Sequence, residues 1–393
     1  MSKNVVIVSY ARTPLGSFKG ALSTVSAPIL GATAIKGALE KCNLDSSHVD
    51  EVIMGCVLPA GLGQAPARQA AIYAGIPNEV ETLTINKMCG SGLKAIMQGQ
   101  QSILAGDADV VVAGGMENMS QSPHYLMGSR DGIRLGHGKL IDGMIHDGLW
   151  DVYNDQHMGN CAEICAKKYK FSREDQDKFA ERSYTRSQGA IADGLYKDEI
   201  VPVAVPQRKG EPIIVSTDEE PNRVNFDKMR ALRPAFEKEG SVTAGNASTI
   251  NDGAAVVILM SEDKAKELRL TPIARIVSQA SAAHAPEWFT TAPMKAMNKA
   301  VEKAGLTMGD IDLFEINEAF AVVTMAAEKD LKLDAEKVNI LGGAVSMGHP
   351  IGASGARIMC TLLNAMNQKD AKYGIASICI GGGEASAVIV EIV

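Results

Sequence analysis

The chain has 393 residues, 46% of them apolar and 22% charged, with a formal net charge of -7. Such a length exceeds one ordinary core, so two or three globular units are expected. The negative balance, with no basic run, argues against nucleic acid as the main partner, and no apolar run approaches the ~20 residues of a membrane span.

The N-terminus, MSKN followed by VVIV, holds too short an apolar run for a signal peptide and reads as a first strand. Residues 5–9 have a buried-strand pattern, ended by Arg12, Thr13 and Pro14. An amphipathic helix follows at 27–41, a second strand at 49–56, and a helix at 64–74 stopped by Gly75 and Pro77. The run NKMCGSG at 86–92 then reads as a strand end, a tight glycine turn and the start of an apolar helix reaching Gly106. Cys89 falls at or just before that helix N-terminus, where unpaired N–H groups and the helix dipole favour negative charge. This placement predicts a thiol pKa below the free value of ~8.5 and a nucleophile presented on a turn. A buried core thiol between two glycines is the alternative. A strand at 108–113 ends at Gly114 and Gly115. Strands alternating with helices imply an α/β layer with a largely parallel sheet.

From 116 to about 246 the character changes to Met, Gly, His and charge, with prolines at 202, 206, 212, 221 and 234. Helices are expected at 161–170 and 173–193, with few regular strands. Long insertions of this kind are usually covers or binding elements. Cys161 and Cys165, four apart on the first of these helices, could pair on a metal, but no further ligand spacing supports it and half-buried core thiols are the better reading. Seven cysteines, an odd number in a large chain, favour reduced thiols in a cytosol.

Strand pattern resumes at 256–260, and the second half then repeats the first. GATAIKGALEKCNL at 31–44 lies over PMKAMNKAVEKAGL at 293–306 without a gap, and Gly55 lies over Asn317. Ser91 and Gly92 open a helix as Ser354 and Gly355 do, and the strands at 110–113 and 375–379 both run into glycines. Several elements in one order imply two similar α/β halves with the insertion in the first. Two packed halves make a cleft at their strand ends where polar groups from both can meet.

The second half supplies three candidates for that cleft. Asn317 ends the strand at 313–316 and either donates a hydrogen bond into the cleft or caps the next helix. His349 sits in the glycine-rich loop GGAVSMGHPIGASG at 342–355, poised as base or donor. Phosphate binding by this loop is disfavoured, for no Walker or Gly-x-Gly-x-x-Gly run follows a first strand. Cys379 precedes Gly381, Gly382 and Gly383, whose N–H groups could line an oxyanion hole; it could also be a core residue at a sheet end. Two thiols, a histidine and an asparagine at the turns of a repeated unit suggest acyl transfer with carbon–carbon bond making or breaking.

At this point the chain closely resembles the thiolases. NKMCGSG at 86–92, NEAF at 317–320, GHPIG at 348–352 and CIGGG at 379–383 are similar to that family's motifs, over nearly the whole chain. His157, Met158 and Gly159, GNAS at 245–248 and NDGAA at 251–255 look like its acetyl-CoA acetyltransferases rather than its long-chain 3-ketoacyl-CoA members. The resemblance implies a thiolase-like fold: two repeated α/β halves with mixed, mostly parallel five-stranded sheets in α-β-α-β-α layers, plus an inserted loop domain. The halves would be 1–118 with 247–270, and 271–393; the insertion, 119–246, would cover the CoA site. It implies acetyl transfer through acetyl-Cys89, with His349 taking the proton and Cys379 serving as acid and base at the α-carbon. Asn317, through a water, and His349 would form one oxyanion hole, and the N–H groups of Cys89 and Gly381 the other. Leu149, His157, Met158, Arg223, Phe236, Ala244 and Ser248 would line the CoA path, with Ala319 and Phe320 near the thioester. Arg223 is then a phosphate or adenine contact, or else an ordinary surface arginine.

Acetyl-CoA, acetoacetyl-CoA and CoA are the expected partners, CoA thioesters being substrate and product, with no metal, no other cofactor, no nucleic acid and no membrane. A cytoplasmic homotetramer is expected. Glu384 after the triple glycine and WFTTA at 288–292 in place of a glycine-rich stretch depart from many relatives, and Pro221 stands where the potassium-activated members usually have a tyrosine, which argues against monovalent-ion activation. The alternatives are a 3-ketoacyl-CoA thiolase of broader chain length, a 3-ketoacyl synthase acting on a carrier protein, a non-catalytic lipid-binding or scaffold protein, and a Cys-His-Asn hydrolase.

Overall fold

The long apolar strands are buried on both faces, which is why their sequences run apolar without alternation. In a computed structural model, which describes residues 4–393, strand β1 (Val5–Arg12) sends Val5 and Ile7 into one core and Val6 and Val8 into another. Met1, Ser2 and Lys3, where the reading of the N-terminus begins, lie outside the described residues.

The first half comprises β1, helix α1 (Ala27–Lys41), β2 (Glu51–Gly55), α2 (Pro66–Tyr73), β3 (Glu81–Ile85), α3 (Ser91–Ala105) and β4 (Val110–Asn118). Strand β5 (Asn251–Ser261) completes its sheet after the insertion. The insertion carries α4 (Met158–Tyr169), α5 (Arg173–Ala192) and three small hairpins. The second half comprises β6 (Ala274–Ala283), α6 (Ala292–Ala304), β7 (Leu313–Ile316), α7 (Ala321–Leu331), α8 (Ser354–Lys369), β8 (Tyr373–Ile380) and β9 (Glu384–Ile392). A four-residue helical turn, Ala344–Met347, lies between α7 and α8.

The expected layers are present. Helices α3 and α8 form the central layer, and side chains of both sheets meet there, among them Ile53, Val111, Leu259, Ile378 and Val388 with Ile96, Met359 and Leu362. Helices α1 and α2 cover the outer face of the first half, and α6 and α7 that of the second. Helix α8 is buried from Ser354 to Met366, as a helix between two sheets must be. The repeat read from sequence is a repeat in space: α1 and α6, β2 and β7, α3 and α8, and β4 and β8 take the same places in order.

Two details correct the expected sheets. Pairing is parallel only for β2 with β3 and β4, and for β7 with β8; the other strand pairs in the large sheet are antiparallel. The cause is local for β8 and β9, since three glycines between strands permit a hairpin but no crossover. The fifth strand of the second half is reduced to one parallel bridge, Phe314 to Val338. The two half-sheets join edge to edge at Val6 with Arg275 and Ile7 with Ala274, giving one ten-stranded sheet in which the tenth strand is the two-residue Gly16–Ser17 paired with β5.

The insertion is anchored by a buried charge cluster. Arg12 at the end of β1 bonds Glu199 at 2.5 Å and Asp218 through two parallel contacts of 2.7 and 2.8 Å. Thr361 and Asn364 of α8 donate to the same Glu199. A fork-to-carboxylate geometry of this kind offsets the desolvation of the charges. No helix among the described residues is long and apolar enough to cross a membrane.

Candidate active site

Cys89 leaves the sheet at the end of β3 and sits two residues before α3. Met88 beside it has a φ of +47°, a strained conformation for a residue with a side chain. The turn is held by its own polar residues: Asn86 Oδ1 accepts from Met88 N–H at 2.9 Å, and Ser91 Oγ accepts from Lys87 N–H at 2.8 Å while donating to Met88 O at 2.6 Å. Gly90 lets the turn pack closely on the Ile380 side chain, 2.4 Å from where a Cβ would lie.

His349 occupies the matching place in the second half, in the loop before α8. It is 6% exposed. Its Nδ1 lies 2.6 Å from Ser354 Oγ, and that hydroxyl donates to Pro350 O at 2.9 Å. A serine has one proton to give. With it spent on the carbonyl, Nδ1–H donates to Ser354 and Nε2 is left as the acceptor, the form of a general base. Nε2 has no protein partner. Burial, and then the Arg357 charge, push the imidazole down to about 3, so it rests neutral.

Cys89 departs from the sequence expectation. Burial pushes its thiol up to about 11, with a smaller push from Glu117, while the backbone N–H groups of Gly381 and of Cys89 itself pull it down. The helix-terminus argument fails on position, for α3 begins only at Ser91, and no cation lies among the groups that shift it. Cys379, fully buried at the end of β8, is raised well above the ordinary thiol range, first by burial and then by Cys89. A charge on Cys89 would thus oppose the ionisation of Cys379.

A cavity of about 250 Å³ opens onto these groups. Of the residues singled out from sequence, Cys89, His349, Gly381, Leu149, His157, Met158, Phe236, Ser248, Ala319 and Phe320 line it. Cys379 and Asn317 lie just beneath, each 0% exposed. The Asn317 N–H is fixed to Ser377 O at 2.9 Å, while its side-chain amide has no protein partner. One wall is aromatic: His157 stacks on Phe236 at 4.8 Å, Phe236 meets Phe320 edge-on at 6.0 Å, and Phe320 meets Phe289 at 6.2 Å. His157 Nδ1 accepts from Gly159 N–H at 3.0 Å as the cap of α4, and burial lowers its pKa.

Two named residues are not on this cavity. Arg223 is at the surface, 3.3 Å from Glu219, and Ala244 is exposed, while Ala247, Ser248, Thr249 and Ile250 downstream form the wall. Sequence reasoning missed Met119, Phe289, Ile351 and Ser354. Phe289 was within reach, since it falls in the divergent stretch at 288–292. Glu318 of NEAF is structural: it accepts from Ser183 Oγ at 2.7 Å, Asn339 Nδ2 at 2.8 Å and Val345 N–H at 3.1 Å. Glu384 pairs with Lys87, tying the glycine hairpin to the Cys89 turn.

Cys161 and Cys165 are core thiols, as weighed from sequence, but fully buried where half-burial was expected, and all seven cysteines are free. The site offers a neutral thiol, a neutral imidazole with its lone pair inward, a second thiol, and N–H groups on the first sulfur. That set can accept an acyl group on Cys89 and move protons on either side of it.

Residues 5–263 match the family model for the thiolase N-terminal domain, and residues 270–392 that for the thiolase C-terminal domain. The chain is 54% identical over 389 residues to the acetyl-CoA acetyltransferase of Cupriavidus necator, covering 99% of each. It is 53% identical over 387 residues to that of Pseudomonas aeruginosa, covering 98% of each. The crystal structure of the Bacillus anthracis acetyl-CoA acetyltransferase superposes with a TM-score of 0.97 at 42% identity, covering 100% of this chain and 99% of that one.

Proposed function

Because the chain belongs to the thiolase family, we propose that it is an acetyl-CoA C-acetyltransferase, joining two acetyl-CoA into acetoacetyl-CoA and CoA, reversibly, through acetyl-Cys89. The observation that carries the mechanism is that Cys89 and His349, from opposite halves, line one cavity, with Cys379 of the second half buried beside Cys89. His349 Nε2 takes the Cys89 proton as the sulfur attacks the acetyl carbonyl. The proton passes to the leaving CoA thiolate, and acetyl-Cys89 remains. Cys379, once deprotonated, removes an α-proton from a second acetyl-CoA; the carbanion attacks acetyl-Cys89, and Cys89 leaves as a thiolate that takes the proton back from Cys379. Gly381 N–H and Cys89 N–H hold the oxyanion on the acetylated sulfur, and the unpartnered Asn317 amide and His349 serve the second thioester oxygen.

Phe289 and Phe320, in ring contact on the cavity wall, narrow the cavity, which supports a short acyl chain over the broader alternative. A second thiol fits Claisen chemistry on free CoA thioesters better than decarboxylation on a carrier protein. The test is CoA-dependent loss of acetoacetyl-CoA absorbance, run beside longer 3-ketoacyl-CoAs. Turnover falling steeply with chain length is expected. A folded wild type without turnover on acetoacetyl-CoA sinks the reading.

A cytoplasmic homotetramer built from tight dimers is part of the same proposal. The hairpin of His124–Leu126 and Leu140–Asp142 projects Leu126, Met127, Ile133, Leu135 and Leu140, all exposed. Strand β3 ends the sheet with Leu83 exposed. Exposed apolar clusters and bare sheet edges are what assembly covers. Light scattering is expected to give four chains, and Leu135→Asp with Leu140→Asp to give two, with turnover per site retained. A monomer at micromolar concentration contradicts the assembly.

A further inference from the structure

Glu117, the penultimate residue of β4, lies inside the protein, 0% exposed, and the mechanism above gives it no step. Four donors converge on its carboxylate. Oε2 accepts from Val57 N–H at 2.9 Å and from Gly352 N–H at 2.9 Å, and Oε1 from Leu58 N–H at 3.1 Å, with the Cys56 thiol at 3.6 Å. These donors belong to two segments, the loop after β2 and the loop that carries His349. The carboxylate thus joins one half to the other.

The joint is fitted as well as bonded. A Cβ on Gly352 would lie 2.6 Å from Glu117 Oε2 and 2.9 Å from Met116 O. The Gly352 carbonyl on the other side is hemmed in by first-half glycines, for a Cβ at Gly115 would lie 2.0 Å from it and one at Gly55 2.8 Å. Gly92, three residues after Cys89, faces the same stretch, a Cβ there lying 2.7 Å from Ala356 N and 3.1 Å from Gly352 O. One peptide, three residues beyond His349, is therefore seated in a socket built by the half that carries Cys89.

We propose that Glu117 is a positioning residue for acyl transfer: its carboxylate clamps the Gly352 peptide and so sets His349 against Cys89 across the joint between the halves. All its hydrogen-bond neighbours are donors. A carboxamide in its place brings an amino group against N–H or S–H donors on one arm, so the two segments cannot both be held. Burial raises the Glu117 carboxyl to about 7, while the Val57, Leu58 and Gly352 N–H groups and the Cys56 thiol pull it back down, and loss of the carboxylate leaves those buried N–H groups unpaired. The inference rests on the thiolase reading of the site, for only that reading needs His349 and Cys89 in register.

The test is Glu117→Gln, assayed for acetoacetyl-CoA thiolysis, for the burst of CoA released when acetyl-CoA acetylates Cys89, and for melting temperature. Expected is a fall of about 10²-fold in kcat, the scale set by a small misplacement of reacting groups, with KM little changed and the acetylation burst slowed in parallel. A folded variant with wild-type kcat, or a loss confined to KM or to melting temperature, overturns the proposal. If the variant does not fold, hydrogen exchange on the wild type decides: the Gly352 amide must exchange as slowly as those of β4, and fast exchange overturns the clamp. Turnover of the wild type reports on the functional reading, and the ratio of variant to wild type reports on Glu117, so the two failures are distinguishable.

Discussion

Cys89→Ala is expected to lower acetoacetyl-CoA cleavage on the order of 10⁴-fold or more, with no acetyl-enzyme formed, because no other group can carry the acyl chain. His349→Ala is expected to cost ~10²–10⁴-fold at neutral pH, the usual share of a general base. The pH dependence separates the two. A thiol raised to about 11 is almost wholly protonated at neutral pH, and an imidazole lowered to about 3 does not hold the proton at rest. The resting state is thiol and imidazole, and the proton moves only as the sulfur attacks. Raising the pH therefore partly restores the His349 variant, where solvent can remove the proton, and does nothing for the Cys89 variant. Alkylation of wild-type Cys89 by iodoacetamide should likewise climb with pH past the ordinary thiol range. A plateau of alkylation rate at neutral pH would show a resting thiolate–imidazolium pair and sink this account.

The sign of that shift is where sequence and structure part. NKMCGSG announces a cysteine on a glycine turn before a helix, and the turn is there. What it does not announce is that the second half closes round the half-buried thiol and desolvates it. The hairpin at 381–383 and the loop at 348–352 close over Cys89, and they lie far along the chain. Desolvation then outweighs a helix terminus that starts two residues too late. Local spacing carries the position of a nucleophile; its electrostatics belong to the assembled cleft.

The layers were legible for a different reason. A repeated order of helix, strand, glycine turn and helix survives as a pattern whatever the fold does with it, and 31–44 over 293–306 sufficed to reveal two halves. Strand direction is not part of that pattern, so the sheets looked more parallel than they are. The short CIGGGE turn between β8 and β9 did contain the correction. Glu117 was invisible: one acid after an apolar strand reads as a solvated strand end, and only the structure shows two distant loops converging on it. Arg223 is the opposite case, a residue that looked committed to the ligand and is found at the surface on Glu219.

Cys379→Ala is expected to separate the two half-reactions. Acetylation of Cys89 needs His349 and the Gly381 and Cys89 N–H groups, none of which the substitution removes, so one CoA per site should still be released from acetyl-CoA. Condensation needs a base at the α-carbon of the second acetyl-CoA, and its loss should cost ~10²–10⁴-fold in overall turnover. Burial holds Cys379 protonated, and with Cys89 also a neutral thiol at rest no charge on the first sulfur opposes the second. The base at the α-carbon therefore forms only by loss of the Cys379 proton, against desolvation. A Cys379→Ala enzyme that gives no CoA burst, or that keeps near-wild-type condensation, would remove Cys379 from this role and leave the α-proton to His349.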